Sequence, residues 1–426
     1  MIPTPIMLKV PQFPWYGDTD LDLEFPASWE VITCTMSGDR TPKLNEAELR
    51  SLFANPIGIP RIAELAKGKK EVVILFDDLS RPTKVAELVP YVLEELREGG
   101  VVDESIRFIA CLGAHGAMKL MDFVKKLGPE VVQRFPVYNH NPYENCTFLG
   151  TTSRGTPVSV NSEVMACDLK IAIGAILPHP TAGFGGGGKM ILPGVSHIDS
   201  IWANHHNVAG RGKPTPENPL GKLDSSVGFG RIEGNAIRLD AEEAARMAGL
   251  DVTVNAVVNL KRDTVGLFVG DLVAAHRQGV KLAEKVYATK RPGKVDIVVA
   301  NACAKANEGL VGLLNVMNMV DEGDVDLALI CNTPEGQICH YASRSFGKKM
   351  GGRLWGPRET LPPRIKRMIV LSPYIDRAGI DWLGPLGSVI RVNGWSEALK
   401  ELEKKHGKGT RVAVLPDATL QYFPPR

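Results

Sequence analysis

Residues 169–194 read LKIAIGAILPHPTAGFGGGGKMILPG. The opening run, Leu169 to Ile176, is apolar except at Lys170 and is closed by Pro178. A short run of that character predicts a strand buried on both faces, as in parallel sheets covered by helices. Ligands of open α/β sheets bind beyond the carboxyl ends of the strands. The candidate site therefore lies just past this strand: His179, then Gly185, Gly186, Gly187 and Gly188, then Lys189. Glycine lets a ligand reach the backbone and bares N–H groups that cradle anions. A lysine leaving such a loop serves as an anion partner or a nucleophile.

Gly183 to Lys189 also has the G-x-x-x-x-G-K spacing of a phosphate-binding P-loop, but Met190 stands where a hydroxyl side chain should hold magnesium. Pro193 and Gly194 come soon after, and an internal proline costs a helix roughly 3 kcal/mol. The helix that a P-loop needs is missing. Met190 to Leu192 are predicted to be extended instead.

Outward from this stretch, strand-like and helical patterns alternate. The first half predicts strands at 71–76, 105–112, 158–160 and 169–176, with helices at 84–98, 119–127, 197–207 and 241–248. Residues 209–230, rich in Gly, Pro and charge, read as a long loop, and 252–260 with 265–269 as a hairpin. A helix over 271–288 leads to Lys290-Arg291-Pro292-Gly293. Then a second set begins, with strands at 295–300, 326–331, 368–372, 388–392 and 411–415, and helices at 310–320 and 396–405. The fold class predicted is α/β: two α/β domains with parallel or mixed sheets and an active-site cleft between them. Their bounds are 1–270 for the N-terminal domain, 271–292 for a helical connection and 293–426 for the C-terminal domain.

The 50 basic and 48 acidic residues nearly cancel, which excludes the strong positive field of a nucleic-acid or anionic-membrane binder. Seven scattered cysteines with no C-x-x-C pair suit reduced thiols. No apolar run approaches the ~18–20 residues of a membrane span, and the N-terminus lacks a signal-peptide pattern. A cytoplasmic protein acting on a small molecule is expected.

Two further strand ends carry chemistry. After EVVILF comes Asp77-Asp78-Leu79-Ser80-Arg81-Pro82, and after SIRFIACL comes Gly113-Ala114-His115-Gly116. With His179 and Lys189 they supply an anion clamp, two acid/base groups and a nucleophile. Here the chain resembles the nickel-pincer-nucleotide-dependent lactate racemase family. The resemblance rests on FDDLSRP (76–82), GAHG (113–116), YNHNP (138–142), LGTTSRGTPVSVN (149–161), PHPTAGFGGGGKMILPG (178–194) and Asn204-His205. It implies a racemase or epimerase of 2-hydroxy acids that works by hydride transfer. His115 and His179 would be catalytic, Arg81 on the substrate side, and Asp78 and the glycines at the cofactor. The cofactor implied is a nickel-pincer nucleotide (a pyridinium-3,5-bisthiocarboxylic acid mononucleotide of Ni). It would be attached covalently at Lys189, with His205 rather than His206 on the metal. Enzymes that make the cofactor would be transient partners.

The second half departs from the family pattern. A Tyr, Gln and Lys that complete the pocket in lactate racemases are not matched after 295–300, where the chain reads NACAKANE (301–308) and then LVGLLNVMNMV (310–320). Lys305 is taken as a substrate-side residue in their place, with Asn307 as a second polar group. Two other functions stay open. One is a hydride-transferring oxidoreductase using free dinucleotide, although no G-x-G-x-x-G comes after the first strand. The other is a non-enzymatic nickel or cofactor carrier, for which His115 and His179 would be superfluous.

Overall fold

The computed structural model describes residues 4–210, 212, 223–342, 360–374, 376 and 379–424. Val72–Asp77 is buried at all six positions, and it lies inside a six-stranded sheet. The strand order there is Thr264–Gly270, Val252–Val258, Leu169–Ala175, Val72–Asp77, Ile106–Cys111, Val137–Asn139. The first pair is an antiparallel hairpin and the remaining neighbours are parallel. Helix Val89–Glu98 covers this sheet with Val89, Val92, Leu93 and Leu96, which share one helical face. Pro90 fits its first turn. It stops at Gly99, where a Cβ would stand 2.5 Å from that of Ala66.

A second six-stranded sheet is wholly parallel, in the order Val389–Val392, Ile365–Leu371, Val325–Ile330, Ile297–Asn301, Arg411–Leu415, Glu30–Thr33. Its last strand comes from the start of the chain. An antiparallel hairpin of Ile6–Gln12 and Thr19–Phe25 lies beside it and buries Val10, Leu23 and Phe25 against Ile297, Val299 and Val412. The strands Ile6–Gln12, Thr19–Phe25 and Glu30–Thr33 thus pack with the second sheet, although a boundary at 270 assigns them to the first, while Trp15 between them packs on the first sheet's core. The helix expected as a connection, Ala274–Val286, packs Val280, Ala283 and Val286 on Val257, Val258 and Val265 of the first sheet's hairpin.

Other differences are local. Met190 to Leu192 are not extended. Gly187–Met190 is a 3-10 turn, and the amides of Ile191 and Leu192 both reach the Gly188 carbonyl. Glycine tolerates that tight winding where a bulkier residue would resist it. The helix expected at 197–207 is α only over Ile198–Trp202 and widens to π over Ala203–Val208, a distortion frequent at functional sites. Helix Glu46–Ala54 adds to the predicted set, and Asn45 with Glu48 forms its capping box. Of the loop at 209–230, residue 211 and residues 213–222 lie outside the described residues, and Gly228–Phe229 pairs with Ala182–Phe184. No helix among the described residues is long and apolar enough to cross a membrane.

Candidate active site

A cleft of about 1350 Å³, open mouth included, lies between the carboxyl ends of the two sheets. The first sheet contributes Asp78 and Arg81, His115, His179, Gly185, Gly186 and Lys189, and then His205 from the π turn. The second contributes Lys305, Glu308, Leu310, Val311, Leu314, His340 and Trp382. The separate motifs of the sequence therefore converge. Asn307 does not reach the cleft lining, and neither do Gly187 and Gly188.

His115 is gripped from both sides. Its Nδ1 lies 2.6 Å from Asp78 Oδ2 and its Nε2 lies 3.4 Å from Glu308 Oε1. Burial disfavours the imidazolium, but the two carboxylates outweigh it and push the pKa up to about 9. Burial likewise works against the charged form of Asp78, yet His115, Arg81 and the Ser80 hydroxyl hold it at about 2. Asp78 lines the cleft, and its two oxygens accept from the amide and hydroxyl of Ser80 and meet His115. It positions the histidine.

Arg81 bonds through Nη1, to Glu308 Oε2 at 2.6 Å and to Ser80 Oγ at 2.7 Å. Lys305 Nζ stands 3.4 Å from the same Glu308 oxygen. Burial and the neighbouring Arg81 lower Lys305 to about 8. Glu308, against the effect of its burial, is kept well below the usual carboxylate range by Arg81, Lys305 and His115.

His179 is set up the opposite way. Its Nδ1 accepts from the amides of Thr181 at 3.3 Å and Ala182 at 3.1 Å. A ring nitrogen that accepts from fixed N–H donors carries no proton, so the neutral ring bears its proton on Nε2. Burial, with Lys189, Lys305, Arg81 and His205 around it, drives its pKa far down. One histidine is charged at neutral pH and the other is not.

The glycine run is supported from beneath. Arg238, buried, donates to the carbonyls of Gly186 at 2.9 Å and of Phe184, and His276 Nε2 donates to that of Gly185 at 2.8 Å. The Gly185 and Gly187 amides are engaged inside the protein, with the Leu177 carbonyl and Asn255 Oδ1. A Cβ at Gly186, Gly187 or Gly188 would press on Asn255, His276 or the Ala241 carbonyl at 2.9–3.0 Å. The glycines are thus demanded by packing under the loop. Gly187 and Gly188 sit behind the lining that Gly185 and Gly186 form. Burial first, then Arg238, Arg81 and Lys305, depress Lys189 well below its ordinary value, and its side chain lines the cleft.

His205 holds Nδ1 3.2 Å from the Ile201 carbonyl. That contact puts the ring proton on Nδ1 and the lone pair on Nε2, as metal-binding histidines are commonly oriented. His206 instead stacks on Trp202 with ring centroids 4.4 Å apart and is absent from the lining. Among the described residues, ligand atoms of His115, Glu308 and His340 also come within 4.8 Å of one another. Two of these three are already balanced by Asp78, Arg81 and Lys305.

Comparison with known proteins agrees with this geometry. Residues 16–215 match the family model of the lactate racemase N-terminal domain. Over these residues, just under half of its length, the chain is similar to that domain. It is 29% identical over 290 residues to the lactate racemase of Thermoanaerobacterium thermosaccharolyticum, covering 67% of this chain and 65% of that one. With the lactate racemase of Lactiplantibacillus plantarum it shares 31% identity over 247 residues, 57% of this chain and 55% of the relative. The matches thus span less than two thirds of either relative. In fold, the chain is similar to the lactate racemase apoprotein from T. thermosaccharolyticum (TM-score 0.72, 20% identity, 99% of this chain and 100% of that one). It is also similar in fold to a protein of Thermotoga maritima (TM-score 0.63, 15% identity, 90% and 99% covered).

Sequence reasoning missed Glu308, His340, Trp382, Arg238 and His276. Glu308 was visible in NACAKANE, but nothing in that string says that it meets an arginine 227 positions away.

Proposed function

We propose that the protein is a racemase or epimerase of a 2-hydroxy acid that carries a nickel-pincer nucleotide joined to Lys189. The observation that carries this is the convergence of Lys189, His205, His115, His179 and Arg81 on one cleft from separate segments of chain. The donor set fits the group. Lys189 lines a buried wall whose burial and nearby cations disfavour its charged form, as acylation requires, and His205 directs Nε2 as a metal ligand. When bound, the group supplies a pyridinium that takes a hydride from C2 and returns it.

The chain's own residues do the rest. Arg81, pinned by Nη1 to Glu308, keeps Nε and Nη2 for a substrate carboxylate. Loss of hydride from C2 must be matched by loss of the hydroxyl proton, and both return after the planar keto acid turns its other face. His115, charged at neutral pH, is the proton donor to the substrate oxygen. Once it has given that proton up, Asp78 keeps its remaining proton on Nδ1 and leaves Nε2 as a base. His179 rests neutral, as the partner of a charged acid must. As placed it is an Nε2–H donor, and taking a proton there requires release of the Thr181 and Ala182 amides. The two histidines thus share the work unequally.

The test is co-production with cofactor-making enzymes, then intact mass, nickel content and chiral analysis of single-enantiomer 2-hydroxy acids. An adduct with one nickel and conversion to the other enantiomer are expected. A loaded protein that leaves every such acid unchanged would refute the reading. An unmodified chain that binds a dinucleotide would favour an oxidoreductase.

A further inference from the structure

The second-sheet wall of the cleft has a composition that the proposed reaction does not explain. Leu310, Val311 and Leu314 stand on the first turns of helix Gly309–Met319, and Trp382 and Ala342 continue the same wall. Leu310, Leu314 and Trp382 are almost fully buried although they border open space. The polar groups on this side, Lys305 and Glu308, are tied to each other and to Arg81. Glu308 remains an anion there, which repels a second negative charge.

Resting on the racemase reading, we infer that the substrate is a monocarboxylic 2-hydroxy acid whose C2 substituent is a bulky apolar group, branched aliphatic or aromatic. Its carboxylate takes the remaining edge of Arg81, and its side chain lies on Leu310, Val311, Leu314 and Trp382. A methyl group leaves most of that wall uncovered. A substituent ending in a carboxylate meets both the apolar wall and Glu308.

Each apolar methylene moved from water onto such a wall is worth about fourfold in binding, so three added carbons are worth roughly 50-fold. The experiment measures kcat/KM of the cofactor-loaded protein for lactate, 2-hydroxy-4-methylpentanoate, 3-phenyl-2-hydroxypropanoate and 2-hydroxysuccinate. The same four acids are titrated into cofactor-free protein and into its Trp382→Phe variant, and the part of the tryptophan fluorescence change that the variant loses reports on Trp382 independently of turnover. The expected order puts the two bulky acids at least tenfold above lactate, and the dicarboxylate below it. Leu314→Asn should narrow the gap between bulky acids and lactate, and Glu308→Gln should raise the dicarboxylate relative to lactate. Lactate or 2-hydroxysuccinate equal to or better than the bulky acids overturns this inference and leaves the racemase reading standing. Loaded protein that turns over none of the four, with no preference in fluorescence, overturns both.

Discussion

Replacing Asp78 by Asn removes the carboxylate 2.6 Å from His115 Nδ1 while keeping the side chain's shape. The rise of His115 from its ordinary 6.5 to about 9 is the net of a burial effect that lowers it and two carboxylates that raise it, Asp78 first. A rise of that size corresponds to roughly 3 kcal/mol in favour of the imidazolium. A raised histidine contributes its full stabilisation below pH 6.5 and loses it as the pH climbs through 9. Asp78, depressed to about 2, contributes above its ordinary 3.8 and loses that contribution as the pH falls through 2. The difference in unfolding free energy between wild type and Asp78→Asn should therefore be widest between about pH 4 and 6.5. It should narrow as the pH climbs through 9, leaving the share that Arg81 and Ser80 give Asp78. Urea unfolding across pH measures this curve, and NMR titration of the His115 ring follows the proton itself, which in the variant should leave near or below neutrality. A His115 pKa still near 9 in Asp78→Asn would show that Glu308 alone holds the charge, and the assignment of Asp78 would have to be withdrawn.

Lys189→Ala should abolish the covalent adduct by intact mass and sharply reduce nickel retention, and full activity in this variant would remove the attachment site. His205→Ala should lose nickel while keeping the adduct, whereas His206→Ala, whose ring lies on Trp202, should change neither; the reverse pattern would move the ligand by one residue. His115→Ala and His179→Ala should each suppress racemisation in both directions, roughly 10²–10⁴-fold, because forward and reverse reactions share every step. In single turnover each variant should still oxidise one enantiomer, a different one in each, and His179→Ala should do so only as the pH rises toward 9, where His115 gives up its proton. Equal losses for both enantiomers in both variants would leave one histidine with a purely positioning role.

Much of the fold could be read along the chain because the signals are local. The strand at Arg411–Leu415 stands where its pattern puts it, and Val72–Asp77 and Leu169–Ala175 are shifted only at their ends. Buried β-branched runs and helical apolar spacing act within a few residues, and neighbouring segments do not alter them. The motif residues were legible for a related reason. Histidine, lysine and arginine at strand ends carry chemistry whatever their surroundings, and the carboxyl edge of a parallel sheet gathers them.

Only the tertiary structure decided which partners those residues keep. Glu30–Thr33 joins the second sheet through a strand some 380 positions away, Thr33 lying opposite Val414, and no local pattern encodes a pairing at that separation. Asp78 meets His115 because two loops, 37 positions apart in the chain, close on each other. Glu308 entered the site through Arg81 and Lys305. His115 and His179 are the same residue type in similar motifs. One is charged and one neutral at the same pH, because carboxylates overcome burial at the first, whereas burial and then nearby cations act together at the second. The chain by itself supplied the groups, since side-chain chemistry is local. Their protonation and pairing come from long-range electrostatics and burial, which exist only once the two sheets face each other across the cleft.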